Sequence, residues 1–232
     1  MTEEIYTKEK GHYLQNNPTW HVEDSPYKAK QVSKMLERNK MDPKTIAEIG
    51  CGAGEILNQL HRSLPTDVTF TGYDVSIDAI NMARQREKDR LAFRHENFLE
   101  TNQEFDLLLM IDVFEHVDDY LGFLRKCNGK AKNTIFHIPL DINVQGILRG
   151  LLMSSRRSVG HLHYFTKETA IATLTDSGYE VVDFFYTPGL MEHPGKKITS
   201  KITALFRRLL YSINKDFAAK TIGGFSLMVL AK

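Results

Sequence analysis

The sequence predicts an α/β protein with a doubly wound, seven-stranded and mostly parallel sheet. From residue 44 onward, short apolar segments alternate with segments of helical periodicity, which is the pattern of such a sheet. The 232 residues are 42% hydrophobic and 25% charged, as in ordinary globular proteins, so a disordered or collagen-like chain is excluded. A chain of this length can bury a large core without disulfides.

Seven segments have the length and composition of strands. In chain order they cover 45–50, 68–74, 91–98, 105–112, 133–139, 179–187 and 225–232. The fourth, FDLLLMID, is apolar almost throughout, as expected for a strand covered on both faces. A helical insertion separates the last two strands, which predicts an antiparallel edge strand on the parallel sheet.

The predicted helices have apolar residues at helical spacing. They cover 27–36, 52–61, 76–88, 118–127, 143–157, 166–178 and 198–213. Ser76 and Thr166 are the residue types that cap a helix N-terminus, and Gly178 can end the helix that Thr166 begins.

We expect a single domain over residues 1–232, with an N-terminal arm and helix at 1–43, a core at 44–188 and 222–232, and helical lid insertions at 143–160 and 189–221. The helices predicted within these insertions are amphipathic and basic. Such helices can contact an anionic membrane peripherally, but we favour a lid, because most amphipathic helices cover a core.

The composition also restricts location and partners. With 30 basic and 29 acidic residues, the net charge of +1 gives no chain-wide attraction to nucleic acid or to a membrane. The two cysteines, Cys51 and Cys127, can make neither a disulfide framework nor a four-cysteine zinc site. The N-terminus lacks an apolar signal core, and the longest apolar runs are well short of the roughly 20 residues of a spanning helix. We therefore expect a cytoplasmic protein.

A glycine-rich turn follows the first strand, in the sequence Glu48-Ile49-Gly50-Cys51-Gly52-Ala53-Gly54. Glycine allows unusual backbone dihedrals and lets the backbone approach a ligand closely. A dinucleotide-binding turn has its third glycine five residues after the first, where this chain has Glu55. Carboxylates on both sides of the turn disfavour a pyrophosphate and favour a ligand with a cationic part.

Asp74 ends the second strand, 24 residues after Gly50. A carboxylate there can accept hydrogen bonds from the two hydroxyls of a ribose. The alternative is an ordinary strand-helix turn with Asp74 as a charge beside a helix. The combination of turn and acid favours the ligand-binding interpretation.

Several ordered motifs together resemble the class I S-adenosylmethionine-dependent methyltransferases, which have a Rossmann-like fold. They are AEIGCGAGE, GYDVSIDAINMAR, HENFLE and FDLLLMIDVFEHV. The IDVFEHV segment and the later GHLHYFTKETAIATLTDSGYEVV resemble the small-molecule branch that includes ubiquinone-biosynthesis O-methyltransferases. The resemblance covers roughly residues 44–188 and 225–232, and implies S-adenosylmethionine as cofactor and S-adenosylhomocysteine as product.

The resemblance implies roles for the turn. Gly50 and Gly52 let the backbone approach the methionine part of the cofactor, with Glu48 beside it. Cys51 is a small filler within the same binding turn.

The resemblance also implies contacts with the nucleoside. Asp74 holds the ribose, and Val75 packs on the adenine. Asn97 bonds the adenine edge, and Phe98 adds a backbone contact. The family usually has an aspartate at the position of Asn97, but the asparagine carbonyl can still accept from the adenine amino group.

Residues after the fourth strand are the candidates for chemistry. The resemblance places Ile111 and Asp112 beside the methionine tail and the methyl group. Transfer from a sulfonium mainly requires alignment of the acceptor, and a base assists when the acceptor is a hydroxyl or amine. We predict His116 and Asp112 as catalytic residues, since an imidazole with a pKa near 6.5 suits a base at neutral pH. The alternative for His116 is packing at the start of the next helix.

An acceptor site is predicted beside these residues, formed by Glu115 with His161, His163 and Tyr164 of the GHLHYF segment. The alternative for this segment is a structural loop in which the backbone satisfies one of the histidines. The acceptor is expected to be a small molecule, an apolar one included, and nucleic acid is disfavoured because no basic domain is appended. No metal is predicted, because the sequence names no distant third ligand to join the acids and His116.

Two other functions remain open at this stage. A nucleotide-dependent oxidoreductase is disfavoured by the glycine spacing and Glu55. A cofactor-binding module without catalysis is compatible with the same turn.

Overall fold

The computed structural model describes residues 19–20, 22–192 and 198–232. Residues 1–18, 21 and 193–197, which belong to the predicted arm and lid, lie outside the described part. Seven strands alternate with helices along the chain. The strands are β1 (Thr45–Ile49), β2 (Thr69–Asp74), β3 (Leu91–His95), β4 (Phe105–Ile111), β5 (Ala131–Pro139), β6 (Val181–Thr187) and β7 (Ser226–Ala231).

Ten α-helices are described beside these strands. They are α1 (Ser25–Arg38), α2 (Glu55–Ser63), α3 (Ile77–Ala83), α4 (Tyr120–Cys127), α5 (Val144–Leu148), α6 (Leu151–Ser158), α7 (Lys167–Asp176), α8 (Gly189–Glu192), α9 (Ile198–Ile213) and α10 (Lys215–Ile222). The predicted caps are confirmed: Ser76 accepts from the amide of Ala79, and Thr166 forms a capping box with Thr169.

The strands form one sheet in the order β3-β2-β1-β4-β5-β7-β6. The pairings among β1 to β5 are all parallel, whereas β7 pairs antiparallel with both β5 and β6. The mostly parallel, seven-stranded prediction is confirmed, with the antiparallel strand lying next to the edge strand. The reversal of strand order at β1 and β4 opens a crevice at their carboxyl ends.

Both faces of the sheet are covered, as doubly wound connections require. Along β4, Leu108 and Met110 pack into one hydrophobic cluster, while Leu107 and Leu109 pack into another on the opposite face. The uninterrupted apolar sequence of this strand therefore has a direct cause in its double burial.

The predicted helix at 143–157 is wrong as a single element. Gly150, with φ +64°, separates α5 from α6. This left-handed conformation suits glycine and cannot continue a helix.

The expected packing of the lid faces on the core is also wrong for several residues. Leu148 is 81% exposed, and Leu205 and Ile213 are 68% and 74% exposed. Leu210 and Tyr211 of α9 do pack on the core. Among the described helices, none combines the length and apolarity that a membrane span requires, and the cytoplasmic location stays a prediction.

Candidate active site

A cavity of about 1020 Å³ lies at the carboxyl ends of the central strands. The glycine turn and Asp74 line one part of it, here called the glycine-turn end, and His116 and His161 line another part, here called the histidine end. The volume is at the upper end of the range for small-molecule sites. Two groups of residues predicted separately therefore open into the same space.

The glycine turn is held in a conformation that requires glycine. Gly50, Gly52 and Gly54 have φ values of +65°, +52° and +77°. A Cβ at Gly50 would lie 2.9 Å from Cγ2 of Val113, and one at Gly54 would lie 2.4 Å from the Phe93 ring. The unusual dihedrals predicted from the three glycines are confirmed, and close neighbours at Gly50 and Gly54 leave no room for a Cβ.

Asp74 is buried and oriented by the backbone. Its Oδ2 accepts from the amide of Gly52 at 2.9 Å, and its Oδ1 accepts from the amide of Ser76 at 2.8 Å. Burial raises the pKa of Asp74, although these amide hydrogen bonds oppose the rise. Each oxygen keeps a further lone pair, so the carboxylate can still accept from two ligand hydroxyls.

Glu48 is buried without compensation of this kind. The residue is 1% exposed, and its Oε2 has no hydrogen-bond partner among the described residues. Burial raises its pKa well above the ordinary value, and the nearby charge of Lys28 only partly opposes this. The side chain lines the cavity, where it can meet a cationic group.

The charge predicted for Glu55 is largely neutralised. Its Oε2 lies 2.6 Å from Nε of Arg86. Burial would raise its pKa, but the hydrogen bond from Arg86, with others from Asn58 and Gln59, lowers it below the ordinary value. The negative character of this end of the cavity therefore comes mainly from Glu48 and Asp74.

The predicted adenine-side residues all line the cavity. Val75 is 37% exposed there, whereas Phe98 is buried. Asn97 caps a short 3₁₀ turn, its Oδ1 accepting from the amide of Leu99 at 3.1 Å. Cys51 is buried, and burial raises the pKa of its thiol well above the ordinary value, which suits a small filler.

Asp112 has two charged or polar partners that the sequence did not reveal. Its Oδ2 lies 2.7 Å from Nζ of Lys28, and its Oδ1 lies 2.6 Å from Nδ1 of His137. Burial would raise the pKa of Asp112, but His137 and Lys28 outweigh it and hold the pKa below the ordinary value. A carboxylate of low pKa, engaged on both oxygens, is a poor general base.

His137 is a buried histidine near the end of β5, and both of its ring nitrogens have partners. Its second ring nitrogen lies 2.8 Å from Oγ1 of Thr187. The contact of this strand residue with Asp112 depends on the parallel pairing of β4 with β5, and the contact with Lys28 depends on the docking of α1. No local sequence pattern predicts either contact.

His116 lines the histidine end of the cavity. Its Nδ1 lies 3.2 Å from the carbonyl oxygen of Gly160, so Nδ1 carries the proton and Nε2 the lone pair. Burial lowers the pKa of His116 to about 4, and the adjacent imidazole of His161 adds to this effect. The two rings are 4.9 Å apart between centroids.

The GHLHYF segment divides between the cavity and the surrounding structure. His161 lines the cavity, whereas His163 and Tyr164 do not. Nε2 of His163 lies 2.9 Å from the Val117 carbonyl, and the Tyr164 hydroxyl donates to the carbonyls of Leu152 and His161. These contacts give both residues structural roles in holding the segment.

Glu115 is fully buried between these segments. Both of its carboxylate oxygens lack hydrogen-bond partners among the described residues. Burial raises its pKa well above the ordinary value, and the negative charges of Asp112 and Asp141 raise it further.

Part of this chain is similar in sequence to curated proteins. A ubiquinone biosynthesis O-methyltransferase of Rhodopseudomonas palustris is 31% identical over 41% of this chain and 39% of its own length. A trans-aconitate 2-methyltransferase of Afipia carboxidovorans is 28% identical over 57% of this chain and 51% of its own. The match thus spans about half of these relatives or less.

A solved N-methyltransferase from Bradyrhizobium japonicum, in complex with S-adenosylhomocysteine, has a similar fold. Its TM-score is 0.59 at 18% identity, with 95% of this chain and 97% of that chain covered. The methyltransferase domain family matches residues 21–183 of this chain, which contain the whole glycine turn, Asp74 and the histidine end of the cavity. This chain therefore belongs to the methyltransferase domain family.

Proposed function

We propose that this protein transfers a methyl group from S-adenosylmethionine to a small-molecule acceptor, leaving S-adenosylhomocysteine. The proposal rests mainly on one observation: the glycine turn and Asp74 line the same cavity as His116 and His161. Membership of the methyltransferase domain family and the curated small-molecule methyltransferases among its relatives support the same activity.

The cavity residues fit the proposed cofactor at its two polar ends. The Asp74 carboxylate, already aimed by two backbone amides, would accept from the ribose hydroxyls. The unpartnered Oε2 of Glu48 would face the ammonium group of the methionine part. A pyrophosphate would instead meet two buried acids at this place, with an unfavourable charge interaction.

The remaining cofactor contacts follow the shape of the cavity. Val75 offers an exposed apolar surface for the adenine, and Asn97 keeps a carbonyl lone pair for its edge. Ile111, at the end of β4, would border the methyl group together with Asp112.

When bound, S-adenosylmethionine supplies an electrophilic methyl group on a positively charged sulfur. The work of the chain is then to bind, orient and exclude water. Asp112, fixed by Lys28 and His137, would hold the shape of the cavity between its two ends. We assign it positioning rather than proton transfer.

The acceptor would occupy the end lined by His116 and His161. Leu151 and Leu152 also line this space, which makes it partly apolar. The two imidazoles would contact the reacting group of the acceptor, and the leucines would contact its apolar part.

A screen with methyl-labelled S-adenosylmethionine and fractionated metabolite extracts tests this function. We expect label in one small-molecule product, with one S-adenosylhomocysteine formed for each methyl group transferred. S-adenosylhomocysteine binding without turnover on any fraction would instead favour a non-catalytic binding module. Binding of NADH without S-adenosylhomocysteine would favour the oxidoreductase.

A further inference from the structure

Three side chains with metal-binding atoms meet beside the histidine end of the cavity, which His116 and His161 line and Glu115 does not. One ligand atom each from Glu115, His116 and His161 lies within 4.8 Å of the other two. Nε2 of His116 lies 3.9 Å from Oε1 of Glu115. The sequence predicted no metal because it offered no distant third ligand, and the fold supplies one in His161, 45 positions after His116 in the numbering.

The carboxylate of Glu115 has too little compensation from the protein to offset its burial. The residue is 0% exposed, and neither oxygen has a hydrogen-bond partner among the residues that the structure describes. Burying a carboxylate in this way is costly unless a cation or a proton accompanies it. The unpartnered carboxylate beside two imidazoles is therefore a second observation, besides the spacing of the three side chains, that supports a bound cation.

The two imidazoles are oriented as metal ligands usually are. Nδ1 of His161 lies 2.6 Å from Oδ2 of Asp141, and Nδ1 of His116 lies 3.2 Å from the Gly160 carbonyl oxygen. In metal sites, the second nitrogen of a ligating histidine commonly donates to a carboxylate or a backbone carbonyl. Both contacts involve Nδ1, so the Nε2 atoms are the ones that would coordinate the ion.

The backbone holds the two ligand-bearing segments together. The amides of Leu162 and His163 donate to the carbonyl oxygen of Glu115 at 2.8 and 3.1 Å. The segment with His161 is thereby fixed beside the segment with Glu115 and His116. The site is preorganised by the fold, so a metal ion need not assemble it.

We propose that Glu115, His116 and His161 bind one divalent transition-metal ion of the zinc type. Two imidazoles and one carboxylate are a donor set of catalytic zinc sites, which keep a fourth position for water or substrate. Imidazole ligands disfavour Mg²⁺ and Ca²⁺. Tetrahedral ligands at bond lengths near 2 Å are separated by about 3.3 Å, which small side-chain rotations from the observed positions would achieve.

If the proposed methyl transfer is correct, this metal site also restricts the kind of acceptor that the protein methylates. The open position would take an oxygen of the acceptor, which favours molecules with an ionisable hydroxyl. Coordination lowers the pKa of that hydroxyl, and its proton passes to solvent water. In this arrangement His116 is a metal ligand and the general base predicted from the sequence is not needed.

Calorimetric titration of untagged, chelator-treated protein with Zn²⁺ and Co²⁺ tests the site. We expect one ion per chain with a Kd of about 10 μM or tighter, and visible Co²⁺ bands typical of four or five ligands. Glu115→Gln and His161→Gln should each weaken Zn²⁺ binding by at least about 100-fold. His61→Gln is the control, because His61 belongs to α2, outside the cavity and outside both ligand-bearing segments, and the affinity of this variant for Zn²⁺ should equal that of the wild type.

Asp141→Asn provides a second variant in case a ligand variant does not fold. It leaves all three ligands in place and should weaken Zn²⁺ binding by about 10- to 100-fold. Wild-type protein that binds neither ion, or ligand variants that bind like the wild type, would overturn the proposal. S-adenosylhomocysteine binding is measured on the same samples. Protein that binds S-adenosylhomocysteine but no metal ion would contradict the metal site and leave the proposed function intact. Protein that binds the metal ion but no S-adenosylhomocysteine would contradict the proposed function and leave the metal site intact.

Discussion

At or beside each end of the cavity lie one acid with protein partners and one buried acid with an unpartnered oxygen. At the glycine-turn end, Asp74 accepts from two backbone amides, whereas Oε2 of Glu48 has no partner among the described residues. At the histidine end, Asp141 contacts His161, whereas both oxygens of Glu115 lack partners. The same contrast thus occurs twice within one site.

The contrast distinguishes carboxylates that already have hydrogen-bond or charged partners in the protein from carboxylates that require a ligand. A carboxylate held by protein donors is rigid and can select neutral hydroxyl groups. A buried carboxylate without donors costs free energy and is stabilised by a cation. We assign the ammonium of the cofactor to Glu48 and a metal ion to Glu115.

The largest effect is expected for Asp74→Asn. The amide would present a donor to one of the two backbone N–H groups, so orientation and ribose contacts are both lost. We expect S-adenosylhomocysteine binding to weaken by about 2–3 kcal/mol, or roughly 30- to 150-fold, in calorimetric titrations. Asp89→Asn is the control, since that side chain is 96% exposed, and an equal affinity for both variants would contradict the role of Asp74.

Alanine substitutions at two glycines test whether close neighbours, in addition to the left-handed backbone conformation, require glycine in the turn. Gly50→Ala should lower the free energy of unfolding by about 2 kcal/mol, since a left-handed residue with a Cβ costs about 1–2 kcal/mol and Val113 must also move. Gly150→Ala has nearly the same φ, but its Cβ would have nothing within 4 Å. Denaturant unfolding of both variants should show a smaller loss for Gly150→Ala, and equal losses would remove the steric argument.

Glu48→Gln should increase the stability of the ligand-free protein at neutral pH. Because burial raises the pKa of Glu48, the folded state holds this proton more tightly than the unfolded chain. Wild-type stability should therefore fall as pH rises above about 4.3, the pKa of an unfolded glutamate. The variant lacks this loss and should gain about 1–2 kcal/mol at pH 7.

The same variant should bind S-adenosylhomocysteine more weakly, because it lacks the charge proposed to meet the ammonium. Unfolding is followed from pH 4 to 8, with Glu168→Gln as control, since Glu168 is paired with Lys220 on the surface. A wild-type protein no less stable than Glu48→Gln across this range would show that Glu48 carries no uncompensated charge.

Glu115→Gln in chelator-treated protein extends the same reasoning to the histidine end. Because both oxygens of the Glu115 carboxylate are buried without hydrogen-bond partners among the described residues, the substitution should raise the free energy of unfolding at pH 7 by about 1–2 kcal/mol, as for Glu48→Gln. Saturating Zn²⁺ should stabilise the wild type and leave the variant unchanged. Thermal unfolding with and without Zn²⁺ measures both, and an equal gain for the two proteins would place any bound ion elsewhere.

Local sequence patterns predicted the sheet and the glycine-turn end well. The apolar strand before Gly50, the three glycines and the acid ending β2 belong to short segments whose conformation depends mainly on neighbouring residues. The capping of α3 by Ser76 and of α7 by Thr166 is local in the same sense. Such features can be inferred before any tertiary contact is known.

The histidine end depended on contacts between distant segments. Lys28 contacts Asp112 because α1 docks beside the sheet. His161 lies beside His116 because the amides of Leu162 and His163 donate to the Glu115 carbonyl oxygen. The break at Gly150 could have been suspected from a glycine within a helical pattern. The exposure of Leu148 and Leu205 could not, since amphipathic spacing does not specify what covers the apolar face.

A crystal structure of the complex with S-adenosylhomocysteine tests the central claim most directly. We predict the nucleoside in the crevice beside the glycine turn, with its ribose hydroxyls on Asp74 and its amino group facing Glu48. A crevice that stays empty at millimolar ligand, or that takes the pyrophosphate of a dinucleotide in preference, would contradict the account.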